Sequence, residues 1–179
     1  MVVLGLDSGL AHFGLAALRL EPDGSSQLVA LDVFSSAPST RKTHTLAGDD
    51  LARRARELAS WLAIHLRRHQ PAALCVESPS WPRNAGAAAK MGTAFGVLFA
   101  LADEHDLPLL QASPQAVKRA ATGAKTASKD DVVGAMRALY PEASWPRQTG
   151  LHEHAADAIA VVLACQDSEV LRMARRLSA

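Results

Sequence analysis

At 179 residues, 49% apolar and 21% charged, the chain is long enough for one domain with a proper core and too apolar to be disordered. Its net charge of +1 leaves no global electrostatic attraction for nucleic acid, so any basic surface must be local. The two cysteines, Cys75 and Cys165, sit in separate apolar runs with no CxxC pair, which predicts buried free thiols in a reducing compartment. The start carries no basic leader pattern and no apolar run approaches membrane-spanning length, so a cytoplasmic location is expected.

The first predicted strand, residues 2–7, is Val2-Val3-Leu4-Gly5-Leu6-Asp7, followed at once by Ser8-Gly9. It places a carboxylate at the tip of a buried strand, where desolvation demands a partner such as a metal ion or a cationic side chain. A second strand is predicted over 12–20, a turn at Pro22-Asp23-Gly24 and a third strand over 27–34, giving three antiparallel strands at the start. Residues 35–48 read as a polar, mobile loop. Asp49 or Asp50 can cap a helix running to about His69, stopped by Pro71. Residues 72–76 form a fourth strand that ends in Glu77.

A Pro-rich loop, Ser78 to Arg83, leads to a long helix capped by Asn84 and running to about His105. This helix is rich in Ala and Gly, and each mid-helix glycine costs about 1 kcal/mol against alanine. Such residues suit close packing, either of helix on sheet or of helix on helix across a dimer. A fifth strand over 107–111 is followed by a helix that Ser113-Pro114 begins and that ends near Gly123. Thr126 or Ser128 starts another, to about Tyr140. An apolar helix spans about 153–165, and the tail 166–179 is amphipathic, with Leu171, Met173 and Leu177 on its apolar side. The expected architecture is α/β, a mixed five-stranded sheet flanked by helices, in a single domain over 1–179.

Asp7 and Glu77 share one pattern: apolar strand, carboxylate, turn. If their strands are neighbours, the two acids lie side by side at the C-terminal edge, where like charges favour a divalent cation between them. His154 and Asp157 lie three apart on the last apolar helix and therefore share a face. An acid at a helix N-terminus complements the macrodipole, which accounts for Glu153 well and Asp157 less well. Together Asp7, Glu77, His154 and Asp157 can hold two divalent ions about 4 Å apart, the arrangement that stabilises attacking and leaving oxygens in phosphodiester hydrolysis.

In order and spacing, these motifs resemble the RuvC-type Holliday junction resolvases of the RNase H-like superfamily. The resemblance rests on Leu4 to Gly9, Val76-Glu77 with Asn84 to Gly96, Ser113 to Lys118, Lys129, and His154-Ala155-Ala156-Asp157-Ala158. It implies an RNase H-like fold and a homodimer through the long helix 84–105. It also implies a Mg2+-dependent endodeoxyribonuclease that nicks four-way junction DNA symmetrically in recombination and repair. A branch-migration motor is an implied partner, and a nucleoid-associated location follows. It carries catalysis and metal binding onto Asp7, Glu77, Asp157 and His154, with two Mg2+ per site. Many relatives have Asp at the position of His154. Imidazole is a poor Mg2+ ligand, so either Mn2+ is preferred or His154 is an acid, base or proton shuttle. Ser8 replaces the usual Pro after the first acid.

The same resemblance assigns DNA contacts to Lys118 and Lys129, which match phosphate-binding lysines, with Lys125 and Arg83 nearby. Ser80 stands where the family often has a stacking aromatic, and Trp81 beside it either stacks on a base or packs under its own loop. Three other readings stay open. One is an actin- or sugar-kinase-like ATPase, which needs two such domains and a second phosphate loop. Another is a junction-binding module without catalysis. The third is an RNase H-like nuclease acting on other branched DNA or on RNA.

Overall fold

A computed structural model describes residues 1–39, 46–80 and 83–177. Strands β1 (Val2–Asp7), β2 (His12–Leu20) and β3 (Ser26–Ser35) precede helix α1 (Ala47–His69), then β4 (Ala73–Glu77), α2 (Ala85–Glu104) and β5 (Leu109–Ala112). Helices α3 (Pro114–Thr122), α4 (Lys129–Leu139), α5 (His152–Cys165) and α6 (Glu169–Leu177) complete the chain. The sheet order is β3-β2-β1-β4-β5, with β1, β2 and β3 antiparallel and β4 and β5 parallel to β1. The mixed sheet with three antiparallel strands first is as expected.

Strand periodicity decides which face each acid joins. On β1, Leu4 and Leu6 enter a core with Leu58 and Leu62 of α1 and Phe95 and Leu98 of α2. Val3 points the other way, into a core with Ala156, Ile159 and Val162 of α5. On β4, Leu74 and Val76 share the α1–α2 side, and Ala73 and Cys75 the α5 side. Asp7 and Glu77 continue the second parity, so both project on the side of α5. Leu6 pairs with Val76 in the parallel ladder, which brings the two acids to neighbouring strand tips.

Helix α5 lies against β1 and β2 because two glycines let it. A Cβ on Gly5 would overlap the Ala158 carbonyl oxygen and Val162 Cγ2, and one on Gly14 would overlap the His154 carbonyl oxygen. Eight of the fourteen residues of α5 are buried. A close approach of helix to sheet is thus found at α5. On α2 itself, nothing lies within 4 Å of a Cβ built on Gly96.

Several expected boundaries shift. Helix α1 begins at Ala47, and neither Asp49 nor Asp50 caps it; Asp50 instead accepts from Ser39 N and Oγ and pairs with Arg53. The start of the loop after β3 is anchored: buried Ser36 donates to the Leu10 carbonyl and accepts from Nε of buried Arg54. The rest of that expected mobile loop, residues 40–45, falls outside the described residues. Ser128, not Thr126, caps α4, in a capping box with Asp131. Met173 is exposed and does not join the apolar side of the tail, whereas Leu171 is buried. At 20 residues, α2 is long and apolar enough to cross a membrane, which corrects the expectation that no run approaches that length. Its Phe95 and Leu98 are core residues packed against the sheet. Cys75 and Cys165 are free and buried, as expected.

Candidate active site

Three elements deliver the four residues of the site. The tips of β1 and β4 present Asp7 and Glu77, and the first turns of α5 present His154 and Asp157. His154 Nδ1–H donates to Asp7 Oδ2 at 2.6 Å, both side chains being about three-quarters buried. This bond holds the imidazole above its ordinary pKa despite the opposing effect of burial.

Burial, then repulsion from Asp157 and Asp7, pushes Glu77 up to about 7, with Lys118 and Lys129 opposing. Burial and Asp7 push Asp157 up to about 6, with Lys129 and His154 opposing. Two carboxylates are therefore raised toward neutrality, by burial first and by a local excess of negative charge second. Protons are one way to relieve it and a divalent cation is another. The donor set, three carboxylates and one imidazole, fits a hard or borderline divalent ion. Among the described residues, no three or more His, Cys, Asp or Glu side chains are gathered closely enough to hold a metal ion as they stand. The four form an open cluster at the sheet edge.

Of the basic residues expected to meet DNA, Lys118 on α3 and Lys129 at the start of α4 act electrostatically on Glu77, so both face the cluster. Lys125, Arg83 and Ser80 are exposed, and among the described residues none of them bonds to the four. Trp81 lies outside the described residues, so its two readings stand as they were.

Two residues at the site were not singled out by sequence. His12, at the start of β2, sets its ring 5.3 Å from that of His154 and hydrogen-bonds Ser35 Oγ at 3.0 Å. Glu153, attributed above to the helix macrodipole, bonds Lys129 Nζ through Oε2 at 2.5 Å and places Oε1 3.8 Å from His154 Nε2. The Lys129 bond lowers the Glu153 pKa and raises that of Lys129. A signal for His12 was its place five residues after Asp7, on the strand antiparallel to β1. Glu153 carried no signal beyond adjacency to His154.

With this geometry in view, comparison with known proteins is specific. The family model for crossover junction endodeoxyribonuclease RuvC matches residues 3–165. The crossover junction endodeoxyribonuclease RuvC of Thermus thermophilus is 28% identical over 165 residues, covering 91% of this chain and 92% of that one. The protein of the same name from Synechococcus sp. (strain CC9311) is 31% identical over 169 residues, covering 91% and 96%. Among solved structures, T. thermophilus RuvC in complex with Holliday junction substrate superposes with a TM-score of 0.75 at 27% identity, covering 98% of this chain and 97% of that one. The fold shared with these neighbours is RNase H-like.

Proposed function

The chain belongs to the crossover junction endodeoxyribonuclease RuvC family, and from that premise we propose that it resolves four-way DNA junctions with the cluster Asp7, Glu77, His154 and Asp157. Nucleases of this family are divalent-metal dependent. The observation that carries the assignment is the convergence of three carboxylates and one imidazole, from two strand tips and one helix, with Glu77 and Asp157 raised to about 7 and about 6 by burial and their shared negative charge.

In this reading Asp7, Glu77 and Asp157 hold two divalent ions, and His154 is the fourth member. When bound, such ions stabilise charge on the attacking and leaving oxygens of phosphodiester hydrolysis. The chain's own groups orient that chemistry. The strand tips fix Asp7 and Glu77, and the Gly5 and Gly14 contacts fix α5 and its two ligands against them. His154 steadies Asp7 through the Nδ1 bond, and as a nitrogen ligand it would favour Mn2+ over Mg2+. Lys118 and Lys129 neutralise the incoming phosphate. Lys125, Arg83 and Ser80 extend the DNA path around the site, and Trp81 is a further candidate DNA contact.

Symmetric nicking needs two such sites, so the functional unit is a homodimer. The apolar, largely exposed α2 with its open Gly96 supports that face as the contact. The whole chain acts as one nuclease domain, cytoplasmic and nucleoid-associated, and a branch-migration motor is its proposed partner.

The deciding experiment is cleavage of a synthetic mobile four-way junction beside a linear duplex of the same sequence, in Mg2+, Mn2+ and EDTA. Paired nicks in opposing strands of the junction alone, dependent on metal, are the expected result. Junction binding without nicking in either metal would turn the reading into a recognition module.

A further inference from the structure

Lys129 is the first residue of α4, and the Ser128–Asp131 capping box fixes its backbone. Its side chain is 66% exposed, and among the described residues it has one hydrogen-bonding partner to set where the ammonium points. That partner is Glu153 on α5, the helix that also carries His154 and Asp157. An ion pair this exposed contributes little to stability. A first-turn acid on α5 would complement the macrodipole without reaching a lysine on another helix. What the bond does accomplish is geometric: it ties a mobile cation to the rigid frame holding half of the acidic cluster. Lys118 differs, being half-buried on α3, with no ion-pair partner among the described residues.

We propose that Glu153 is a positioning residue that holds the Lys129 ammonium beside the Asp7, Glu77 and Asp157 cluster, aimed at the place the scissile phosphate occupies. The proposal rests on the nuclease reading above. A lysine ammonium has three N–H donors, so Lys129 can keep one on Glu153 Oε2 and offer another to a phosphate oxygen. Glu153 thereby acts through Lys129 and touches no reacting atom.

The test is a double-mutant cycle on the four-way junction, with kcat and KM for wild type, K129A, E153A, E153Q and the double variant K129A/E153A. Junction affinity is measured separately in EDTA, and unfolding midpoints matching wild type check the folds. E153A is expected to lose roughly tenfold in kcat, within what misplacement of a group costs, while junction affinity is kept. E153Q retains an oxygen acceptor for Lys129 and should recover most of that loss. In the K129A background E153A should change nothing further. Losses that multiply independently, or a wild-type kcat in E153A, would overturn the proposal. If E153A does not fold, the same cycle is run with E153M, which cannot accept the bond. Wild-type protein that binds the junction but never nicks it would instead remove the nuclease reading, and this proposal with it.

Discussion

The two faces of the sheet are built differently, and the difference locates function. On the α5 face a helix is pressed onto β1 and β2 through Gly5 and Gly14, eight of its fourteen residues are buried, and every acid of the site projects there. On the opposite face α1 and α2 complete a conventional Leu and Phe core, while the outer side of α2, with Phe99 and several alanines, stays exposed. Tight packing holds ligands to a fixed geometry, and uncovered apolar surface calls for another chain. One face carries the candidate site, and the other carries the surface proposed above as the dimer contact.

The sharpest way to break this division is to remove chemistry while leaving packing untouched. Asp7→Asn keeps size and shape but deletes a charge from the cluster. Junction cleavage should fall by on the order of 10³-fold or more, with junction binding in EDTA retained. Equal loss of binding would make Asp7 a structural acid. The converse is to disturb packing while leaving the chemistry of every site residue unchanged. In Gly5→Ala the new methyl meets the Ala158 carbonyl and Val162, so α5 must shift. Overpacking of this kind costs about 1–3 kcal/mol, read as a lower midpoint in chemical denaturation, and cleavage should drop because His154 and Asp157 move with the helix. Unchanged stability would mean that α5 is not seated as described.

These two variants also mark what the sequence made legible. Asp7 and Glu77 could be read in advance because strand alternation is strictly two-fold: an acid ending an apolar strand has a defined face and a defined end. His154 and Asp157 were legible from their three-residue spacing in an otherwise apolar helix. Gly5 and Gly14 were not, since the reason for a glycine in a strand lies in whatever crosses it, here the backbone of a helix about 150 residues away in sequence. Asp50 looked like a cap because local rules place acids at helix starts, yet Ser39 and Arg53 compete for its oxygens and win. Glu153 had a sufficient local explanation that concealed a tertiary one.

A subtler comparison sets the crowded acids of the site against the opposite face, where charges such as Asp50, Arg53 and Glu57 are paired on the surface of α1, through pH. Glu77 and Asp157 have folded-state pKa values raised above their unfolded ones, to about 7 and about 6. The native state then holds protons that the unfolded chain has released. Their contribution to stability is present at low pH and is lost as pH rises from about 4 to about 7. His154, also raised, acts in the same direction. In EDTA the melting temperature should decline across that window. Mg2+ or Mn2+ should recover it at the upper end by replacing the protons, and Glu77→Gln should flatten the profile. A metal-free protein whose stability rises through the same window would contradict the crowding of these acids.

The smallest effect on the folded chain belongs to the outer side of α2, the proposed dimer contact. Gly96 on α2 has no atom within 4 Å of where a Cβ would be, so Gly96→Leu introduces no clash within one chain. Replacing a mid-helix glycine should leave monomer stability unchanged or raise it by up to about 1 kcal/mol. If α2 packs on a second copy, the same leucine pushes the two helices apart. The variant should then sediment as a monomer and nick one strand of a junction without the paired second cut. A dimer that survives with paired nicking would move the contact elsewhere and leave the exposed face of α2 without a partner. Because Gly96 is exposed while Phe95 and Leu98 pack on the sheet, an unchanged monomer stability confines any effect of the leucine to the outer side of α2.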